Sequence, residues 1–204
     1  MSFNKKDIDL VYESLKNYKI EFENISYFES YFEFVEFFKR IETIDYHSLV
    51  ISSYFTYGWM PTILKKFNTK DNIDDVITIL NKVKNHIEIN NIEYGKLVDC
   101  INNSIVGVSK LIHFINPTDY PIFDSRIKNY FKENHLLESI WKPTYQNKNK
   151  DVKQYQLYRD ICLEMISDDR FQKIYDESIK QLGFDRDITK MRVLENLFFT
   201  FGKN

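Results

Sequence analysis

The chain has 204 residues and a mass of 24.7 kDa, with 43% hydrophobic, 28% charged and 16% aromatic residues and a formal net charge of −2. Its 17 Phe and 14 Tyr against only 5 Gly and 4 Pro exclude collagen-like, linker-rich and disordered classes, because that much aromatic area can bury a core. Few breakers favour long helices over many short strands, and the length suits one large domain or two small ones.

Cys100 and Cys162 cannot by themselves build a zinc cluster or a four-thiolate iron–sulfur site, and their spacing is no disulfide framework, although one bridge remains open. The first residues, MSFNKKDIDLVYESLK, carry charges every few positions and contain no apolar signal segment. No run approaches the roughly 20 apolar residues that a membrane span needs. The expectation is a reduced, soluble, cytoplasmic protein with no membrane partner and no cofactor. The net charge gives no global pull toward nucleic acid, but its sign varies along the chain. Residues 1–50 hold 6 Lys/Arg against 10 Asp/Glu, whereas residues 105–160 hold 9 against 6.

Apolar residues recur at helical spacing almost throughout. Ile8, Val11, Tyr12 and Leu15 mark a helix over 7–18, and Tyr27, Phe28, Tyr31, Phe32, Phe34, Val35, Phe38 and Ile41 a denser one over 26–42. A third spans 46–57 and closes at Gly58; Pro61 can open the next turn. Asp71 or Asn72 suits the N-cap of a helix over 73–88, striped by Val76, Leu80, Val83 and Ile87. Two shorter helices, 92–103 and 107–115, are expected on either side of a break at Ser104–Gly107. Asn116-Pro117-Thr118-Asp119 reads as a stop and turn, and a new helix begins at Asp124 with Ile127, Tyr130 and Phe131 inward. The polar stretch 142–151 reads as a loop before three closing helices over 152–166, 168–182 and 187–201. The fold class expected is all-α, a multi-helix globular bundle.

The stretch from Asn103 to Ile127, NSIVGVSKLIHFINPTDYPIFDSRI, carries a resemblance. It resembles the centre of the helix-hairpin-helix DNA glycosylase superfamily, in which a Gly-rich hairpin of the type L-P-G-V-G-x-K opens a helix and a V-D-T-H-V-like segment supplies a catalytic aspartate. Gly107-Val108-Ser109-Lys110 stands where the hairpin and its lysine would be, and Pro121-Ile122-Phe123-Asp124-Ser125-Arg126-Ile127 where the aspartate segment would be. Together with Tyr57-Gly58-Trp59-Met60-Pro61-Thr62, the same stretch also looks like a group of small uncharacterised bacterial and phage proteins, a likeness that implies no activity. The glycosylase resemblance implies a two-lobed helical fold, here a lobe over 1–104 and a motif-bearing lobe over 105–204 with a cleft, and a DNA or other nucleic-acid partner.

The chemistry explains why these residue types matter. Cleaving an N-glycosidic bond builds positive charge on the sugar, which a fixed carboxylate near C1′ stabilises while it draws a proton from water. Asp124 suits that role. A desolvated lysine can instead attack C1′ and form a Schiff base, which is the role open to Lys110. A base turned out of the duplex needs a lining of rings, for which Tyr57, Trp59, Tyr120, Phe123 and Trp141 are candidates, with His113 on the helix of Lys110. Gly107, Ser109, Arg126, Lys128, Lys148 and Lys150 are candidates for holding phosphates.

Each residue also has an ordinary reading. Asp124 at a helix start is an N-cap, Lys110 a solvated helix residue, Ser109 a helix-start residue, His113 a satisfied buried histidine, and the aromatics plain core. The four histidines, His47, His86, His113 and His135, show no metal-binding spacing, and the isolated glycines form no phosphate loop. Excision of a damaged or modified base is the leading expectation. The alternatives are the same scaffold binding nucleic acid or a partner protein without chemistry, in phage defence or counter-defence, and cleavage of an RNA base or a nucleoside.

Overall fold

A computed structural model describes residues 5–15, 25–60, 62–68, 73–141, 148–183 and 187–202. The protein is all-α. In chain order the helices are α1 (Lys5–Ser14), α2 (Ile25–Arg40), α3 (Tyr46–Trp59), α4 (Ile73–Lys84), α5 (Asn91–Cys100), α6 (Ile105–Ile115), α7 (Ser125–Glu133), α8 (Glu138–Trp141), α9 (Lys148–Ser167), α10 (Asp169–Leu182) and α11 (Lys190–Phe201). Among the described residues no helix is long and apolar enough to cross a membrane. The expected caps at Asp71 or Asn72, and the turn opened by Pro61, lie outside the described residues.

Two compact units divide the chain: a middle unit, Asn24–Ile122, and a terminal unit made of Met1–Glu23 and Phe123–Asn204. The boundary falls at Ile122/Phe123 rather than at the expected 104/105. The cause is α6, whose sequence IVGVSKLIHFI buries residues on all sides, Ile105, Val108, Leu111, Ile112 and Phe114 among them. A helix apolar all round must be surrounded. It packs against α2, α3, α4 and α5, which fixes it in the middle unit.

Within the middle unit, local signals start the helices where they stand. Asp45 caps α3 in a capping box, accepting from Ser48 N at 2.8 Å while Ser48 Oγ accepts from Asp45 N at 2.8 Å. Asn90 and Glu93 do the same for α5. Helix α4 ends at Lys84, four residues before the expected end, because the chain turns through a left-handed His86 (φ 58°). Phe67 and Ile101 form an isolated antiparallel bridge that the periodicity did not announce.

In the terminal unit α11 is the buried strut, with Met191 to Phe198 all buried, and it packs on α7, α9 and α10. Its end approaches α7 so closely that a Cβ on Gly202 would sit 1.8 Å from the Arg126 carbonyl oxygen. Asp168 caps α10, which ends on a left-handed Gly183 (φ 60°). Helix α9 starts at Lys148, inside the stretch expected as a loop, with Asp151 placed favourably in its first turn and a stripe of Val152, Tyr155, Tyr158, Cys162 and Met165 turned inward. Helix α8 is a single short turn that the sequence pattern missed. Cys100 and Cys162 are both buried free thiols, one in each unit.

Candidate functional site

The expected site residues fall into two groups, one in each unit. In the middle unit, the Ser104–Gly107 segment is not a hairpin. Asn102 and Asn103 make the turn with φ of 56° and 50°, Ser104 caps α6, and Gly107 lies in its first turn, donating its N–H to Ser104 Oγ at 3.2 Å. The glycine is needed for another reason. A Cβ there would meet the Tyr57 hydroxyl at 2.2 Å, so the missing side chain lets α3 and α6 approach. Burial pushes the Tyr57 phenol up from its ordinary value, with Asn102 and Ser104 pulling the other way. Beside this contact the Lys110 ammonium stands over the Trp59 ring, 5.5 Å from its centroid. Tyr57, Trp59, Gly107 and Lys110 thus gather across one helix pair.

His113 and Ser109 do not join them on an accessible face. His113 is fully buried: Nδ1 lies 2.7 Å from the Tyr120 carbonyl oxygen and Nε2 lies 3.1 Å from the Tyr31 hydroxyl. The hydrogen belongs on Nδ1, facing a carbonyl, and Nε2 accepts from Tyr31. Its ordinary reading holds: it ties the segment after α6 to α2. Ser109 is equally buried and donates to Val106 O at 2.9 Å, so it is turned away from any phosphate. Tyr120 is buried as well, at 1% exposure.

In the terminal unit, Asp124 is the N-cap of α7. Its Oδ1 accepts from the N–H groups of Arg126 and Ile127, both at 3.1 Å, and the residue is only 9% exposed. Two cations flank it on the same helix. The exposed Arg126 guanidinium lies over the Phe199 ring at 4.6 Å, and the half-buried Lys128 ammonium over the Phe123 ring at 4.8 Å. Phe123 is fully buried and stacks on Tyr158, centroids 5.2 Å apart. The side chains of Trp141, Lys148 and Lys150 lie outside the described residues.

Sequence reasoning missed a set of buried polar groups on α9 and α11 of the terminal unit. Arg192 and Glu195 form an ion pair on α11 with side-chain exposures of 10% and 1%, and Tyr158 and Cys162 on α9 are fully buried. Burial first, then the Cys162 thiol and the Glu195 and Asp124 carboxylates, hold the Tyr158 phenol well above its ordinary pKa. A signal existed: Arg192, Glu195 and Asn196 interrupt the apolar run of α11 at a spacing of three and four, which places them on one face.

Elsewhere in the terminal unit a groove of ≈ 310 Å³ runs among α1, α10 and α11, lined in part by Tyr12, Glu13, Leu15, Arg170 and Leu197. None of the expected site residues lines it. Its most prominent cation, Arg170, is already engaged by Asp9 and Asp168 and lies over the Tyr12 ring. Among the described residues no group of three or more His, Cys, Asp or Glu side chains converges as a metal site.

Comparison with protein-family models, curated proteins and solved structures finds no match.

Proposed function

We propose that the protein is a DNA glycosylase-like enzyme that excises a damaged or modified base, with Asp124 as its catalytic carboxylate. The observation that carries the reading is the state of that side chain. Asp124 is held rigidly at the start of α7 by two backbone N–H groups, with Arg126 and Lys128 on the turn that follows. A carboxylate fixed in place before reaction is what a developing sugar cation requires, because no reorganisation is then needed as the charge appears. Arg126 and Lys128 supply positive charge for a phosphate on either side of the sugar.

In this reaction the C1′–N bond breaks and its electron pair leaves with the base, which takes up a proton. Asp124 stabilises the cationic sugar and draws a proton from the water that adds to C1′. Lys110 belongs to the middle unit and Asp124 to the terminal one, so the excision step is assigned to Asp124 alone.

Incubation with duplexes bearing modified bases is expected to leave abasic sites, and Asp124→Asn to slow base release about a thousandfold. Release at an unchanged rate in that variant overturns the assignment.

One observation favours a second reading, nucleic-acid binding without chemistry: the Asp124 Oδ1 already serves as a helix cap. Binding that weakens steeply with salt, together with no base release from any substrate, selects that reading.

A further inference from the structure

Helix α3 of the middle unit is turned the opposite way from an ordinary surface helix. Its buried side carries Ser48, Ser52, Ser53 and Thr56 beside Leu49 and Tyr57. The side left open carries Tyr46, His47, Ile51, Tyr54 and Gly58, with Ile51 54% and Tyr54 57% exposed. At 3.6 residues per turn these five fall within one arc of about 140°. A surface helix normally buries its apolar stripe and wets its hydroxyls. The Tyr54 ring meets that of Phe67, centroids 6.3 Å apart, so the surface continues onto the segment after α3, where Ile63 is exposed. From Tyr46 to Leu64, 19 residues, the sequence has no Asp, Glu, Lys or Arg. Gly58 adds a second observation. Glycine inside a helix weakens it, yet the Gly58 backbone has no positive φ and a Cβ there would meet nothing within 4 Å, so neither strain nor packing calls for it.

We propose that this face of α3 joins a second copy of the chain, the two α3 helices running antiparallel about a twofold axis. The inference is independent of the excision reading. The charges that flank the face select the occupant. Between Ile41 and Phe67 the only acids are Glu42 and Asp45, before α3, and the only Lys or Arg residues are Lys65 and Lys66, after it; all four are exposed. An antiparallel twin brings the acidic approach to each helix beside the basic segment that follows the other, and it opposes the two helix dipoles. A parallel twin would set like charges together. With the axis at the middle of α3, Ile51 of each copy lies against Tyr54 of the other, and His47 against Gly58, where the absent side chain admits the imidazole. A face without charge can meet its own image with no ion to desolvate. A helix of 14 residues is ~21 Å long, so the pairing covers less than the about 800 Å² per partner of a standard interface, which gives a weak dimer with a Kd in the micromolar range.

The test is sedimentation velocity of the full chain from about 5 to about 500 μM. The wild type is expected to pass from monomer to dimer over that range, and Tyr54→Glu to stay monomeric throughout with an unchanged far-UV circular dichroism spectrum. Gly58→Gln is expected to raise the Tm of the dilute monomer and yet weaken the dimer, a split that a purely local role for the glycine would not give. Glu42→Lys should weaken the dimer about threefold, and adding Lys65→Glu should restore it, because the exchanged charges again face their opposites. A wild type that stays monomeric at the highest concentration overturns the proposal and leaves the face to a different partner. A dimer untouched by Tyr54→Glu, or growth past two subunits, overturns it as well. If Tyr54→Glu does not fold, the charge exchange decides: a dimer that neither weakens in Glu42→Lys nor recovers in the exchanged variant rejects the antiparallel pairing.

Discussion

In the middle unit the deeply buried polar side chains are hydroxyls, an imidazole and an amide, those of Ser52, Ser53, Thr56, Ser109, His113 and Asn116, whereas the terminal unit buries Asp124, Arg159, Arg192 and Glu195 as well. The first set shows its structural use in its bonds. His113 ties α6 to Tyr31 and Tyr120, and Asn116 donates to Val83 O at 3.0 Å and to Asp119 at 2.8 Å, which fixes the turn after α6. In the second set Asp124 caps α7, while the Arg192–Glu195 pair contributes little net stability relative to apolar residues of similar volume. Burial of a hydroxyl is therefore weak grounds for a site, while burial of a charge that contributes little to folding is stronger grounds.

The largest effect that separates the two units is expected at Glu195. Replacing it with alanine strands the Arg192 guanidinium in the interior and should cost ~3–5 kcal/mol in urea denaturation. Replacing both partners together, Arg192→Met with Glu195→Leu, should return stability to within about 1 kcal/mol of the wild type. If the double variant is as unstable as the single one, the pair is structural and the contrast between the units fails. The next effect belongs to the middle unit. His113→Leu leaves the Tyr31 hydroxyl and the Tyr120 carbonyl without this partner and should cost about 2–4 kcal/mol. The pH profile of base release should stay where it is, which a site role for His113 would not allow.

Helix existence was legible because it depends on local spacing: α2 and α4 to α7 follow the apolar period, whereas α3 buries a face of Ser48, Ser52, Ser53 and Thr56 and exposes Ile51 and Tyr54, and Asp45, Ser104 and Asp124 act at starts as their short polar side chains allow. The ordinary reading of Asp124 as an N-cap was visible at the same level, and it is the geometry now observed. What was illegible depends on tertiary packing. Gly107 read as a hairpin glycine, but it is a helix residue whose missing Cβ admits the Tyr57 hydroxyl from α3, a partner 50 residues away. Lys110 and His113 stand three apart on α6, yet one reaches the Trp59 ring and the other points into the core, because α6 is surrounded. The unit boundary and the Arg192–Glu195 pair were hidden for the same reason. Only the packing of α11 on α7 and α9 buries that pair.

The smallest effect tests the middle unit on its own terms, through one of the two ion pairs that join α4 to α5, Lys82–Glu93 and Asp75–Lys96. Lys82 Nζ and Glu93 Oε1 are 2.5 Å apart, with side-chain exposures of 39% and 14%. Burial raises the Glu93 carboxyl, but the Lys82 ammonium and the Asn90 N–H outweigh it, so its pKa lies below the ordinary glutamate value of 4.5. A carboxyl whose folded pKa is depressed contributes stability above the unfolded value and loses it as pH falls through the folded one. Glu93→Gln should therefore cost less than about 1 kcal/mol at neutral pH, and the difference from the wild type should shrink toward zero below pH 4.5. Thermal unfolding of the two proteins across that range measures it. A difference that persists at acid pH would mean that something other than the charge of Glu93 on Lys82 is lost, since Gln still offers an oxygen to the Asn90 N–H.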